Sequence, residues 1–175
     1  MGEDSSKQQG FTLVELIVVI LLIAIVSVYA GSRYLGVSSF SAFTAQEQII
    51  SVIRQVQVNR IQTNIPDLYN YCEDLTPANS ELRELCLRSR ITATSSCIGS
   101  SSGCSESDSS SRSDVVAVDQ VSFSTVPVIS NITFDLLGNP LEVVSGGVDI
   151  TITAGQSEAN VCINSQGYVY GGTCL

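Results

Sequence analysis

Histidine is absent from the 175 residues, and basic residues are few, since eight lysines and arginines stand against seventeen acids. The missing imidazole removes the commonest general base and the commonest metal ligand. A net charge of −9 argues against nucleic-acid binding, which requires clustered lysine and arginine. The sequence also has no P-loop pattern and no cluster of metal ligands. We therefore expect no enzyme activity, no catalytic residue, no metal, no cofactor and no nucleic-acid partner.

A long apolar run near the N-terminus contains a single charge. The run from Phe11 to Gly31 has 21 residues, and its one charged residue is Glu15. About 20 apolar residues span the hydrocarbon core of a bilayer as a helix. A carboxylate deep in such a segment costs on the order of a few kcal/mol, and the run has no basic residue to pair with it. Glu15 therefore either meets a partner from another molecule or lies at the level of the lipid headgroups.

Six cysteines follow the apolar run, and none is in C-x-x-C spacing. An even number of cysteines beyond a membrane segment favours disulfides in an oxidising compartment. The spacing gives little support to a zinc site or a thioredoxin-like site. Six cysteines allow 15 connectivities, so spacing alone does not fix the pairing.

The stretch GFTLVE, from Gly10 to Glu15, followed by the apolar run resembles the signature of type IV pilins and type II secretion pseudopilins. In that family a prepilin peptidase of the inner membrane cuts after the glycine and methylates the new amino terminus. The resemblance implies that Gly10 ends a leader and that Phe11 becomes the methylated first residue. It also implies that Glu15 meets the Phe11 amino group of a neighbouring subunit, so that neither charge is left unpaired in a low dielectric.

A conventional signal peptide is the alternative interpretation. Cleavage after Ala30 would release a secreted binding module, with the serine-rich stretch as its contact surface. The first nine residues suit this interpretation poorly, because Glu3 and Asp4 outweigh Lys7 where a secretory leader is positively charged. The same acidity departs from the many pilin leaders that are basic. A mature chain beginning at methylated Phe11 or at Gly31 would discriminate the two.

The order of these features predicts three segments and an α+β fold. We expect a leader over 1–10, a transmembrane helix segment over 11–31 and a periplasmic or extracellular globular domain over 32–175. The helix is expected to continue with an amphipathic half and to end before Pro66. Its apolar stripe should pack on an antiparallel β-sheet, as in the pilin fold. The stripe contains Ile49, Ile53 and Val56, with Val52 and Ile61 nearby, while Glu47, Arg54, Gln57 and Arg60 occupy other faces.

The rest of the chain divides into a short helix, a serine-rich stretch and a series of strands. Within 67–93, Thr76 should cap a helix whose inner face carries Leu82, Leu85 and Cys86. From Thr94 to Asp114 serine dominates, which predicts a flexible, exposed loop. Alternation and β-branched residues then predict strands. The predicted strands are 114–118, 120–126, 131–135, 141–145 and 148–153, with a final hairpin near 160–163 and 168–171 and a Gly-Asn-Pro turn before 141.

Two C-terminal stretches indicate a subgroup within this family. FDLLGNP, from Phe134 to Pro140, and the closing VCINSQGYVYGGTC resemble minor pseudopilins and the minor pilins of the mannose-sensitive haemagglutinin pilus. The resemblance implies a minor pilin or pseudopilin, with prepilin peptidase, other pilin or pseudopilin subunits and the inner membrane as partners. Such a subunit is a single-pass inner-membrane protein before assembly and part of a pilus or pseudopilus, in the periplasm or at the cell surface, afterwards.

For the cysteines we favour three local pairs. Cys162–Cys174 would close the C-terminal hairpin, as many pilins close their C-terminal loop. Cys72–Cys86 and Cys97–Cys104 complete the set, and mixed pairing or free thiols remains open for these two.

Overall fold

The computed structural model describes residues 11–66, 72, 80–106, 112–141 and 146–174. The chain divides into two compact units, Met1–Val37 and Ser38–Leu175. Three helices are described: α1 (Leu13–Gln62), α2 (Ser80–Arg88) and α3 (Ser101–Cys104). The eight strands are β1 (Arg90–Ala93), β2 (Ile98–Ser100), β3 (Val115–Val116), β4 (Val121–Val126), β5 (Asn131–Thr133), β6 (Val148–Ala154), β7 (Ser157–Ile163) and β8 (Val169–Gly171).

In the first unit, α1 contains a segment that is long and apolar enough to cross a membrane. The segment Leu13–Gly31 has 19 residues and a mean hydropathy of 2.9. At 1.5 Å per residue it is about 28 Å long, close to the ~30 Å core of a bilayer. None of its side chains is buried within the described chain.

The second unit contains two four-stranded antiparallel sheets. The first has the order β3-β2-β1-β5, and the second has the order β4-β6-β7-β8. Strict alternation of buried and exposed residues along β4 shows that one face of its sheet is turned to the core. The α+β class with an N-terminal helix and antiparallel sheets is confirmed, although the strands form two sheets where one was predicted.

Residues 42–56 of α1 supply the helical side of the core. Ile49, Ile53 and Val56 are fully buried, as the predicted stripe requires. They share one hydrophobic cluster with apolar residues of both sheets, including Ile91 and Ile150. Burying a side chain of this size contributes about 1.5–3 kcal/mol, so this stripe fixes the second half of α1 on the sheets.

The polar face of α1 differs from the prediction. Gln57 is 9% exposed and Arg60 is fully buried, whereas Ile61, which was expected near the apolar stripe, is 47% exposed. The Arg60 guanidinium donates to the carbonyl of Phe134 at 2.7 Å and to the Thr63 hydroxyl at 2.8 Å. These partners come from loops that the helical pattern does not contain, so periodicity alone assigned Gln57 and Arg60 to the wrong side.

The outcomes for the other elements are mixed. Strands β3, β4, β5 and β8 and helix α2 lie within predicted segments, whereas β6 and β7 extend one and three residues beyond theirs. Helix α2 turns Leu82, Leu85 and Cys86 inward as predicted. Strands β1 and β2 were not predicted. For the predicted strand 141–145, Leu141 lies in a bend, and 142–145 are outside the described residues, as are Thr76 and Pro77.

The predicted Gly-Asn-Pro and hairpin turns are present and touch one another. Gly138 and Gly167 both adopt positive φ, at 84° and 78°. A Cβ on Gly167 would lie 2.1 Å from the carbonyl oxygen of Gly138, so no other residue fits this approach. The Gln57 amide donates to both turns, at 3.0 Å to Gly138 and 2.7 Å to Gly167.

Candidate functional site

The N-terminal end of α1 is built by a threonine cap. Phe11 and Thr12 precede the helix, whose first residue is Leu13. The Thr12 hydroxyl accepts the N–H of Glu15 at 3.3 Å, and the Thr12 carbonyl accepts the N–H of Leu16 at 3.2 Å. Thr12 is therefore the N-cap of α1, and Thr12 to Glu15 reads T-x-x-E, the capping-box pattern.

The Glu15 carboxylate lies at a helix end that partly stabilises its negative charge. The residue lies in the first turn of α1, where unsatisfied N–H groups and the helix dipole favour a negative charge. The favourable interaction is about 0.3–1 kcal/mol at an exposed site, so it offsets only part of the cost of a buried carboxylate. The prediction that Glu15 lacks a partner in its own helix overlooked this helix end, although the S/T-x-x-E spacing is legible in the sequence.

The Ser27 hydroxyl of the apolar segment is satisfied within the helix. The Ser27 hydroxyl donates to the carbonyl of Ile23 at 2.7 Å, one helical turn earlier. No orphaned hydroxyl therefore opposes insertion of this part of the described chain into lipid. Phe11 is 80% exposed, and Gly10, the predicted last leader residue, lies outside the described residues.

The serine-rich stretch forms a second polar site, and the prediction of an exposed loop is wrong for residues 97–104. These residues form β2 and α3, joined at the ends by the Cys97–Cys104 disulfide. Ser100, Ser101 and Ser102 are buried, with at most 5% of each residue exposed. Residues 107–111 of the same stretch are outside the described part of the chain.

Hydrogen bonds explain how this segment can be both polar and buried. The Ser100 hydroxyl caps α3 by accepting the N–H of Gly103 at 2.9 Å and donates to Asp114 at 2.6 Å. The Ser102 hydroxyl donates to Glu84 of α2 at 2.8 Å. Each bond satisfies a group that would otherwise be costly to bury.

Asp114 is held as a carboxylate. Its two oxygens accept from the Arg112 guanidinium, with both N–O distances at 2.9 Å. The Arg112 hydrogen bonds lower the pKa of Asp114 to about 2, against the opposing effect of burial and with further help from Ser100. The same contacts raise the pKa of Arg112. Asp114 therefore stays ionised over the physiological pH range, and the Ser100 hydroxyl and N–H, which donate to its carboxylate and its carbonyl, join the segment 112–114 to β2.

A G-x-S-x-G pattern, Gly99 to Gly103, is hidden among these serines and was overlooked. It lies between a strand and a helix, the setting of a catalytic serine in hydrolases. Its central Ser101 is buried, and its hydroxyl lies 2.6 Å from that of Thr92. The sequence has no histidine to act as base. The spacing instead suits packing, because a Cβ at Gly103 would lie 2.1 Å from the side chain of Val115.

The six cysteines form three disulfides, and the structure joins the pairs favoured from the sequence. These are Cys72–Cys86, Cys97–Cys104 and Cys162–Cys174. Asp149 lies beside the last bridge, and its carboxylate accepts the N–H of Cys174 at 2.5 Å. Although Asp149, Cys162 and Cys174 are close enough to hold an ion, both sulfurs are consumed by the disulfide and offer no thiolate.

Comparison with known proteins gives one match. Residues 5–31 match the model of the prokaryotic N-terminal methylation motif. No curated protein and no solved structure matches the chain at a significant level. The matched residues contain the cap, Glu15 and the exposed apolar segment. The match covers 27 of the 175 residues and supports an N-terminal methylation segment of the type IV pilin kind, which coincides with a helix apolar enough to cross a membrane.

Proposed function

We propose that the protein is a minor pilin or pseudopilin, a structural subunit of a type IV pilus or of a type II secretion pseudopilus. The observation that carries this proposal is the coincidence of three features in one stretch. Residues 5–31 match the methylation motif, Leu13–Gly31 is an unburied apolar helix, and the helix starts two residues after the predicted cleavage site.

In this proposal maturation removes residues 1–10. Prepilin peptidase cuts between Gly10 and Phe11 and methylates the Phe11 amine. Residues 11–31 hold the subunit in the inner membrane as a single pass, with residues 32–175 in the periplasm. Extraction of the helix into the growing filament then moves the subunit from lipid to a protein environment. The exposure of its side chains in the isolated chain supports this route, because they lack covering partners among the described residues.

Glu15 acts as the docking charge in the proposed assembly. Its carboxylate meets the methylated amine of Phe11 in a neighbouring subunit. Methylation leaves that amine positively charged, so the two groups neutralise one another away from water. A wrong register leaves two unpaired charges in a low dielectric, which is strongly unfavourable. The pair therefore selects the register more than it adds net stability.

A minor role is supported by the construction of the head, residues 38–175. Three disulfides and a buried serine segment make it a specialised domain. The FDLLGNP turn and the closing hairpin, which resemble minor pilins of the mannose-sensitive haemagglutinin pilus, are packed together through Gln57. A specialised head of this kind suits a low-copy subunit at or near the filament tip.

Mass spectrometry of the mature chain, produced with a prepilin peptidase, tests the proposal. We expect an N-terminal peptide that begins at Phe11 and carries one methyl group. A bulky residue at Gly10, as in Gly10→Leu, should leave uncut precursor in the inner membrane, while Gly31→Leu should mature normally. A chain beginning at Gly31 would instead establish the secreted binding module and contradict the proposal.

A further inference from the structure

Three of the four sheet edges in the head are covered. At β8 the carbonyl of Val169 accepts from the side chain of Arg54 at 2.9 Å. At β5 the carbonyl of Thr133 accepts the N–H of Leu141 at 2.8 Å. At β4 the N–H of Phe123 donates to a loop carbonyl at 3.0 Å. Covering edges in this way prevents pairing with other chains.

At the remaining edge, β3, no covering contact is found among the described residues. Gly99 and Ile98 of β2 lie opposite Val115 and Val116, and the N–H of Ser100 donates to the carbonyl of Asp114. Hydrogen-bonded and non-hydrogen-bonded pairs alternate in an antiparallel ladder, so the N–H and carbonyl of Val115 point away from the sheet. Within the described residues no hydrogen bond to either group is found.

A groove runs along this edge. It consists of two neighbouring cavities, with volumes of about 660 and 390 Å³, which share Arg112 and Ser113 as lining residues. One wall is the segment Arg112–Val118, which includes β3, and the other is α1 from Gln48 to Gln62. That stretch of helix is about 21 Å long at 1.5 Å per residue. An extended chain of about six residues has the same length.

The helix wall carries a row of polar side chains. Gln48, Gln55, Asn59 and Gln62 all line the groove, and their spacings of seven, four and three residues place them on one face of α1. Amide side chains can donate to carbonyls and accept from N–H groups. A strand bound in the groove would therefore have hydrogen-bond partners on both of its edges, namely Val115 on one side and the amide row on the other.

A buried hydroxyl in the same groove also lacks a partner. Ser89 is 1% exposed and lines the larger part, and its Oγ has no hydrogen-bond partner in the described structure. Most buried polar groups are hydrogen-bonded, and an unpaired one costs about 1–3 kcal/mol. A ligand that brings a donor or acceptor to Ser89 would remove this cost.

We propose that this groove binds an extended segment of a partner polypeptide, which adds to β3 as a further strand. Both lining arginines are already paired with carboxylates, Arg88 with Glu84 at 3.4 Å and Arg112 with Asp114 and Glu106 at 2.9 and 2.8 Å. The described lining therefore offers no unpaired cation, which favours a neutral segment over an acidic one. The described lining has no aromatic residue on which a sugar ring could stack, which favours a peptide over a saccharide. Main-chain hydrogen bonds would provide most of the affinity, as in other cases of strand addition.

The test uses the full-length protein in detergent and a displayed library of linear, cysteine-free peptides of about eight residues. We expect enrichment of neutral peptides with β-propensity, and slower amide exchange at residues 113–117 when they bind. Val115→Pro removes the outward N–H together with part of the buried Val115 side chain, and it should weaken binding at least about tenfold. Asn131→Pro, at the opposite edge of the same sheet, is the matched control and should leave binding unchanged.

Gln55→Leu provides a second variant if Val115→Pro lowers the melting temperature. It leaves the sheet intact and should weaken the same peptides several-fold. The proposal is overturned if no peptide is enriched, if Val115→Pro and Gln55→Leu bind as tightly as the parent, or if exchange slows elsewhere. Binding of oligosaccharides alone would also overturn it. None of these results depends on how the N-terminus is processed, so the maturation proposal is tested separately.

Discussion

The apolar segment Leu13–Gly31 and the serine segment Cys97–Cys104 satisfy their polar groups in opposite ways. In the first segment, backbone groups form hydrogen bonds within one helix. Thr12 at the start of that helix and Ser27 within it also form hydrogen bonds to its backbone. In the second, short elements leave many backbone and hydroxyl groups unpaired locally, and side chains from α2 and the segment 112–114 complete them. The first segment satisfies its own hydrogen bonds but leaves its apolar side chains exposed. The second segment satisfies its hydrogen bonds only with partners from the rest of its domain.

The difference teaches where each segment is sensitive to change. A helix that satisfies itself tolerates most apolar substitutions, so its function depends on the few groups that another molecule must meet. A segment completed by distant side chains depends on every one of those bonds for stability. Substitutions in the first should therefore affect assembly, and substitutions in the second should affect folding.

Glu15→Gln should give the largest effect, on assembly alone. It keeps the shape and hydrogen bonding of the side chain but leaves the neighbouring Phe11 amine without a counter-charge, at a cost of about 3–5 kcal/mol if the pair is buried. We expect processing to continue and mature protein to accumulate in the inner membrane. Quantitative blotting of sheared filaments against membranes, at equal expression, measures the loss. Assembly equal to the parent would show that Glu15 is an interfacial residue without a docking role.

Ser100→Ala should destabilise the head by about 2 kcal/mol. The change leaves the buried N–H of Gly103 and an oxygen of Asp114 without the Ser100 hydroxyl, and each loss costs about 1 kcal/mol or more. Urea unfolding of the purified protein, followed by circular dichroism, measures it. Ser124→Ala on the exposed face of β4 is the control and should change stability by less than about 0.5 kcal/mol. Equal effects of the two changes would mean that the serine segment is not held by these bonds.

Lowering the pH should destabilise the serine segment because it protonates Asp114. Its pKa is about 2 in the folded protein against 3.8 ordinarily, so the stabilisation is present above pH 4 and is lost as the pH falls toward 2. The loss is about 2 kcal/mol. Burial opposes ionisation of Asp135, but the hydrogen bonds from Asn139, Leu137 and Gly138 together lower its pKa in the same direction. The difference between the parent and Asp114→Asn therefore isolates the Asp114 contribution. A variant with the same stability loss between pH 4 and 2 as the parent would refute the assignment.

Thr12→Ala should have the smallest effect, about 1 kcal/mol at the start of α1. The N–H of Glu15 loses its cap, so amide exchange of residues 13–16 should accelerate in detergent micelles, while residues 20–28 remain protected. Thr12→Ser keeps the hydroxyl and should restore the parent rates. Unchanged exchange in Thr12→Ala would show that Thr12 does not fix the helix start.

The features predicted correctly from the sequence depend on neighbours along the chain. Alternation located β4, β6 and β7, and helical periodicity located Ile49, Ile53 and Val56. A glycine required by a tight turn located the hairpin turn at Gly167. Burial of one face or a backbone constraint imposes each of these patterns, and both can be read locally.

The features that were missed depend on contacts between distant residues. Serine is typical of loops, and nothing near Ser102 shows that Glu84 will accept its hydroxyl, 18 positions earlier in the chain. Arg60 likewise belongs to a polar face by spacing and is buried because Phe134 offers a carbonyl. The cap at Thr12 differs, since its T-x-x-E signal is local and could have been read. Of the candidate site, Phe11 and Glu15 could be located in advance, but the construction of the helix end around them was overlooked.

The second half of α1 is attached to the rest of the head by hydrogen bonds from its side chains to main-chain carbonyls. Gln46, Arg54, Gln57 and Arg60 all donate to main-chain carbonyls, at Asn160, Val169, Gly138, Gly167 and Phe134. A carbonyl is present whatever side chain a residue carries, so the attachment makes few demands on side-chain identity in the sheet. Exposed residues such as Leu137 and Tyr168 can therefore change over evolutionary time without loosening the helix. The surface of the sheets can therefore diversify while their attachment to the second half of α1 stays the same.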